Sequence, residues 1–230
     1  MGLKEDLSSE VAEIFRERWE TRDGNVVPES DNLKLSNDAV KLNAVVLYAD
    51  MADSTALVDS SKPHFAAEIY KSYLHCAARI VHNWGGEVTA YDGDRLMAVF
   101  IGDTKNTSAV TVALKLNYAR LYIINPAVRA QYPGNSYELK QVVGIDTSSL
   151  FVARTGVRGA NDLVWVGKAA NHAAKLSALP HDFAIRITKE VYNNMRDSVK
   201  YDGGGRNMWE AATWTAMSRD IYRSNYYWSL

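Results

Sequence analysis

The sequence predicts an α/β sandwich with a central, mostly antiparallel sheet. Apolar runs of strand length alternate with two long stretches of helical period, which extend from Pro63 to Trp84 and from about Thr107 to Ile124. Between these helices, the tight-turn dipeptide Asp92-Gly93 separates two strand-like runs, as in a β-hairpin. An order of strand, helix, hairpin, helix and strand suits the ferredoxin-like arrangement, with helices on one sheet face.

The amino-terminal residues precede this core. Apolar residues recur there at helical spacing behind a pair of serines, which predicts a short, capped, amphipathic helix that packs on the core or supports a dimer. The polar stretch from Thr21 to Lys41 predicts a connecting segment. We therefore assign residues 1–41 to an N-terminal helix and its connection. The helical residues are Ser8, Ser9, Val11, Ile14, Phe15 and Trp19.

The core elements follow in order. The first predicted strand, residues 44–49, is an uninterrupted apolar run, which is typical of a strand covered on both faces. The first long helix ends at Gly85-Gly86 and the second at Asn125-Pro126, because glycine and proline disfavour continuation of a helix. Residues 42–200 form the predicted core domain, and residues 201–230 form an aromatic C-terminal extension. Further strands are predicted at 87–91, 95–101, 141–147, 150–154 and 163–166.

The overall composition excludes several classes of partner. The 26 basic and 27 acidic side chains give a net charge of -1, so bulk charge does not favour nucleic acid or anionic membrane. No uncharged apolar run approaches the roughly 20 residues that span a bilayer, and a single cysteine, Cys76, permits no intrachain disulfide. We therefore expect a cytoplasmic protein that binds neither nucleic acid nor membrane, in which any phosphate binding is local.

Two aspartates stand at the ends of predicted strands. Asp50 follows the first strand and Asp94 follows the hairpin turn. Taken alone, each aspartate, like Asp53, is explained as a turn or helix-cap residue. If the two strands are neighbours in one sheet, however, the two carboxylates converge and repel each other unless a cation such as Mg²⁺ or Mn²⁺ lies between them. Backbone N–H groups that enter the next helix would bind phosphate beside it, at Ala52, Asp53, Ser54 and Thr55.

Three separated motifs resemble those of the class III nucleotidyl cyclases. They extend from Val45 to Thr55, from Asp92 to Phe100 and from Val164 to Leu176, and the likeness covers about residues 42 to 195. The resemblance implies a ferredoxin-like catalytic domain that converts a nucleoside triphosphate into a 3′,5′-cyclic nucleotide and pyrophosphate. It also implies that Asp50 and Asp94, helped by the Met51 carbonyl, bind two ions of Mn²⁺ or Mg²⁺, and that the protein is a homodimer with shared active sites.

The third motif contains a predicted helix with polar residues at i, i+3, i+4 and i+7. Lys168, Asn171, His172 and Lys175 are placed on one stripe by this spacing, which without the resemblance indicates an ordinary solvated face. By resemblance, Asn171 orients the ribose and Lys175 stabilises charge on the phosphate, both from the second subunit. The family usually has arginine at the latter position, whose planar fork lysine lacks. For a further basic contact to the triphosphate, Arg154 and Arg158 both remain candidates.

The positions that recognise a purine base in the family are altered. They are occupied by Ala90 and Val164, whose side chains offer no hydrogen bond. The neighbouring Tyr91 and Trp165 either narrow the base pocket or fill the core. In these features the sequence resembles the pyrimidine cyclases of bacterial antiphage signalling. That resemblance implies UTP as the favoured substrate, with CTP next, and a cyclic product that a separate effector protein recognises.

Two alternatives remain open from the sequence. One is an adenylate cyclase with a divergent base pocket. The other is a catalytically silent, cyclase-like module that binds nucleotide or dimerises.

Overall fold

The computed structural model describes residues 2–230, in which nine strands form a single sheet in the order β3-β4-β2-β5-β7-β9-β8, with β1 paired to β2 and β6 to β5. Most pairings are antiparallel, whereas β1–β2 and β5–β7 are parallel. The strands are β1 (Glu20–Asp23), β2 (Asp38–Ala52), β3 (Glu87–Asp92), β4 (Arg95–Phe100), β5 (Lys140–Val157), β6 (Ala160–Val166), β7 (Ile185–Thr188), β8 (Glu210–Trp214) and β9 (Arg219–Ser224). The helices are α1 (Leu3–Arg16), α2 (Ser54–Ser60), α3 (Pro63–Asn83), α4 (Lys105–Ala119), α5 (Asn125–Gln131), α6 (Lys168–Ser177) and α7 (Lys189–Asn194). The mixed α/β sandwich with a large, mostly antiparallel sheet is as predicted.

Strand β2 runs through the middle of the sheet, between β4 and β5. Its apolar run is buried on both faces because alternate residues enter different cores. Val45 and Leu47 face the core beneath α3 and α4, whereas Ala44 and Val46 face the core beneath α6. This explains why the strand shows no alternation of apolar and polar residues.

Helices cover both faces of the sheet, so the expectation of helices on one face is wrong. The two long helices, α3 and α4, pack on one face, and α6 packs on β5 and β2 from the other. The alanines of α6 allow this close approach, and the approach requires glycine at position 144 of β5, because a Cβ there would overlap the backbone of Ala173 and Ser177. Helix α6 therefore packs directly against the backbone of the sheet.

The amino-terminal helix is longer than predicted and lies apart from the core. It begins at Leu3, before the serines expected to cap it, and Ser8 instead bonds to the Lys4 carbonyl within the helix. None of its residues is buried, and Phe15 is 86% exposed. Trp19 lies beyond the helix and packs edge-on against Phe151, with ring centroids 4.9 Å apart.

The second long helical region does not end at Asn125-Pro126. The chain continues through a π-helical turn, Arg120–Ile124, into α5. Asn125 is buried, and its side chain accepts from the Leu139 N–H at 2.8 Å and donates to the Leu139 carbonyl at 3.2 Å. These tertiary bonds outweigh the conformational bias that proline imposes on the residue before it.

Two further differences concern the strands. The strands expected at 141–147 and 150–154 are one continuous strand, since Ser148 and Ser149 keep their register with β2. The aromatic C-terminal residues add β9 and β8 to the sheet beside β7, and they bury Trp209 and Trp214. No helix within residues 2–230 is long and apolar enough to cross a membrane.

Candidate active site

The two predicted carboxylates lie in one cleft at the end of the β2–β4 pair. Register places Asp50 opposite Arg95, which directly follows Asp94 in the hairpin turn. The cleft has a volume of about 650 Å³. It is lined by Asp50, Met51, Ala52, Asp53, Ser54, Asp92, Gly93, Asp94, Arg95, Val142, Ser177, Ala178, Leu179, Pro180 and His181.

The electrostatics of the cleft are dominated by Asp50. Burial and then the nearby Asp94 charge raise the pKa of Asp50 to about 7, although Arg95 across the strand pair acts in the opposite direction. Below it lies the fully buried Tyr73, whose hydroxyl has no hydrogen-bond partner and whose pKa is raised by burial and by Asp50. An added cation would relieve the repulsion between the two carboxylates.

The donor set fits a hard divalent cation. Within residues 2–230, no group of three or more His, Cys, Asp or Glu side chains could hold a metal ion, so a cation at Asp50 and Asp94 would take its remaining ligands from elsewhere. Magnesium is commonly bound by one or two carboxylates together with substrate phosphates and water. The pair Asp50 and Asp94, with the Met51 carbonyl beside them, suits an ion that arrives with its nucleotide.

The residues after Asp50 form one side of the cleft. Ala52 is the last residue of β2, and Asp53 follows in the left-handed conformation, with φ 59° and ψ 26°. Although Asp53 occupies the N-cap position of α2, its side chain makes no capping bond. Its Oδ2 instead lies 3.7 Å from His181 Nδ1 and 4.0 Å from Lys140 Nζ. Ser54 lines the cleft, whereas Thr55 lies one residue further into α2 and does not.

Helix α6 carries the residues expected to act on the substrate. Asn171 and Lys175 are exposed, and neither lines the cleft of its own chain, which α6 reaches only at Ser177. Lys175 Nζ lies 3.9 Å from Met217 Sδ, on the turn between β8 and β9.

The placement of His172 on the same exposed stripe is wrong. Its side chain is buried, and Nδ1 lies 2.8 Å from Asp146 Oδ2, while Thr188 Oγ1 donates to Asp146 Oδ1 at 2.6 Å. The Asp146 carboxylate, which lies on β5 beneath the helix, stabilises this inward orientation because it gives the ring a buried polar partner.

The residues expected near the base are spread over two strands. Ala90 is half-buried after a bulge in β3, and Tyr91 is 58% exposed, so Tyr91 does not fill the core. Val164 is exposed at 39% on β6, where it alternates with Leu163 and Trp165, which pack against the core beneath α6. A single chain does not bring Ala90 or Val164 into the cleft that contains Asp50 and Asp94.

The two candidate arginines are not at the cleft. Arg154 donates to Asn161 Oδ1 at 2.7 Å and to the Leu33 carbonyl at 3.2 Å, and it pairs with Asp31. Arg158 lies in the turn that joins β5 to β6, and neither arginine lines the cleft.

Sequence reasoning missed His181, which lines the cleft, and Lys140, which lies beside it. In the adjacent pair His181-Asp182, only Asp182 plays a local role, in its bond to Arg186. His181 turns into the cleft and its Nε2 lies 3.2 Å from Lys140 Nζ. No spacing in the sequence indicates this contact, because it depends on the pairing of β5 with β2 and on the loop after α6.

Comparison with known proteins places this chain in a family. No protein-family model matches the chain. A uridylate cyclase from Xanthomonas perforans is 52% identical over 232 residues, and one from Burkholderia cepacia is 47% identical over 232 residues, with both proteins of each pair covered in full.

The chain belongs to the uridylate cyclase family.

The structure agrees with this membership at the level of the fold. The adenylyl cyclase CyaB from P. aeruginosa superimposes with a TM-score of 0.67 at 20% identity, over 81% of this chain and 95% of that one. The chain therefore has the catalytic-domain fold of the class III cyclases, and its full-length relatives show that it is a nucleotidyl cyclase.

Proposed function

We propose that the protein converts UTP into 3′,5′-cyclic UMP and pyrophosphate. The observation that carries the proposal is the shared cleft of Asp50 and Asp94, in which the carboxylates lie close enough for the charge of one to raise the pKa of the other. The choice of UTP is supported by the full-length relatives, which are uridylate cyclases.

In this reaction the ribose 3′-hydroxyl loses its proton and attacks the α-phosphorus, and the bond to the pyrophosphate oxygen breaks. Asp50 and Asp94, with the Met51 carbonyl, would hold Mg²⁺ or Mn²⁺, two ions per site. When bound, such ions lower the pKa of the attacking hydroxyl and stabilise charge on the phosphates. The chain's own task is to orient the nucleotide, and the cleft residues Ala52, Asp53 and Ser54 would lie beside its phosphates.

The complete site requires two copies of the chain. Asn171 and Lys175 project from α6 into solvent and do not line the cleft of their own chain. In a homodimer, the Asn171 amide of one subunit would orient the ribose bound to its partner, and Lys175 would place its ammonium near the phosphate.

Base recognition would use side chains of β3 and β6. Ala90 and Val164 lack hydrogen-bonding groups, so they cannot select a purine by its edge. The exposed ring of Tyr91 is available to narrow the pocket for a smaller base. CTP is the second substrate that this pocket would admit.

The product would act as a second messenger in antiphage defence, bound by a separate effector protein. Since nucleoside triphosphates are cytoplasmic metabolites, the reaction belongs in the cytoplasm.

The first prediction tests the substrate. Purified protein with Mn²⁺ should form cyclic UMP from UTP in preference to products from CTP, ATP and GTP, and Asp50→Asn should abolish turnover because a cation ligand is lost. Chromatography of the products measures both effects. Cyclic AMP as the main product would instead support an adenylate cyclase with a divergent pocket. The absence of any cyclic product would support a silent nucleotide-binding module.

A further inference from the structure

We propose that Lys140, held in place by His181 and Asp53, binds the terminal phosphate of the nucleotide and so distinguishes triphosphates from diphosphates. This assignment rests on the proposed function, because it specifies how the same cleft holds its substrate.

Strand register places Lys140 at a fixed distance from the carboxylate pair. Lys140 is the first residue of β5 and pairs with Ala52, whereas Asp50 pairs with Val142. Residues two apart along a strand point to the same face and are separated by about 7 Å. Lys140 and Asp50 therefore project from one sheet face at a separation comparable with the length of a triphosphate chain.

The Lys140 side chain is oriented by its neighbours, although it is 47% exposed. Its Nζ lies 3.2 Å from His181 Nε2. An ammonium group can only donate, so Nε2 accepts and the ring proton is on Nδ1, which faces Asp53 Oδ2 at 3.7 Å. The three side chains thus form a chain from carboxylate to imidazole to ammonium.

The conformation of Asp53 supports this orientation. In the left-handed region, at φ 59° and ψ 26°, Asp53 makes no bond to the start of α2. Its carboxylate is directed instead toward His181 and Lys140. Such a conformation is uncommon for residues other than glycine and is tolerated best by Asn and Asp.

Lys140 also retains capacity to bind an anion. Of its three N–H donors, one is used by His181, and the distance of 4.0 Å to Asp53 Oδ2 is too long for a hydrogen bond. Arg95, which lines the cleft, uses one of its N–H donors on Asp92, at 2.5 Å. Lys140, beside the cleft, has two N–H donors free for a phosphate, and no carboxylate of the described residues within hydrogen-bond distance neutralises its ammonium as Asp92 neutralises the Arg95 guanidinium.

The second prediction concerns Lys140→Met. In the presence of Mn²⁺, wild-type protein should bind inorganic tripolyphosphate more tightly than pyrophosphate. Lys140→Met should weaken tripolyphosphate binding about tenfold or more, the effect of losing one charge-assisted hydrogen bond, and should leave pyrophosphate binding nearly unchanged. Lys140→Arg should retain the preference. Titration calorimetry measures each binding without turnover, and the KM for UTP should rise by a similar factor.

A matched control is Lys189→Met, which removes a surface lysine that is 52% exposed, is paired with Asp220 and lies away from the cleft. It should bind both anions as wild type does. Equal losses of tripolyphosphate and pyrophosphate binding in Lys140→Met, or no loss relative to the control, would overturn the assignment. If wild type makes no cyclic UMP but Lys140→Met still loses the preference for tripolyphosphate, the proposed function fails and the phosphate site stands.

Discussion

At the scale of single residues, Asp50 has two competing demands. It must be ionised to bind a cation, yet burial and the Asp94 charge raise its pKa to about 7. The consequence for folding has a definite sign. A carboxyl whose pKa is higher in the folded than in the unfolded chain stabilises the fold when protonated, and this contribution is lost as the pH rises toward 7.

The third prediction follows from this pKa. In EDTA, the melting temperature of wild-type protein should fall relative to that of Asp50→Asn as the pH rises from about 4 to about 7, because only wild type acquires a buried, repelled charge. Thermal denaturation at a series of pH values measures the difference. Addition of Mn²⁺ should restore wild type at pH 7 and not the variant, and parallel curves for the two proteins in EDTA would contradict the prediction.

At the scale of elements, α6 determines where Asn171 and Lys175 point. Two features of β5 fix the position of the helix. Gly144 has no side chain and lets the helix approach the sheet, and Asp146 forms a buried bond with His172. Thr188, at the start of α7, donates to the same carboxylate. One carboxylate therefore joins β5, α6 and the β7–α7 junction.

The fourth prediction concerns the contribution of Asp146 to the stability of the fold. Asp146→Ala should lower the free energy of unfolding by about 2–4 kcal/mol, because two buried groups, on His172 and Thr188, each lose their partner. Urea denaturation gives the value. Asp220→Ala, which removes an exposed ion pair with Lys189, should change stability by less than about 0.5 kcal/mol. Similar losses in the two variants would show that the buried network contributes no more than a surface pair.

Helix α6 also shows which features could not be predicted from the sequence. Local patterns sufficed for the β2 run and for the hairpin, since each depends on periodicity or on turn chemistry. The convergence of Asp50 with Asp94 followed only on the condition that β2 and β4 are neighbours, which the sheet order fulfils. The spacing of α6 placed His172 on the exposed stripe, because its buried partner, Asp146, is 26 residues away in the chain. Lys140 and His181 escaped notice for the same reason, as they meet only through strand register and a loop.

At the scale of the whole molecule, the cleft of a single chain gathers only part of the proposed catalytic groups. Asp50 and Asp94 share a cleft, while Asn171 and Lys175 lie outside it. A closed homodimer would form two equivalent sites, each with residues from both subunits.

The fifth prediction tests whether Asp50 and Asn171 act in one site from different subunits. Asp50→Asn and Asn171→Ala should each be inactive alone, but an equimolar mixture that exchanges subunits should recover about a quarter of wild-type activity. Half of the dimers are then mixed, and each mixed dimer has one intact site of two. Formation of cyclic UMP after mixing gives the measurement. A size tag on one variant lets native mass spectrometry detect the mixed dimers and so confirm exchange, and no recovery despite exchange would place all four residues in one subunit's site.

The sheet order has a further consequence for how the molecule is made. Strand β7 has β5 on one side, and its other neighbour, β9, is synthesised about 30 residues after it. The backbone of Trp228 and Ser229 is then bonded to α4, at Leu114 and Lys115. While the polypeptide leaves the ribosome, β7 therefore remains an unpaired edge of the kind that promotes aggregation. Completion of the sheet awaits the synthesis of β9, and ribosome-bound chains that lack β9 should depend on chaperones.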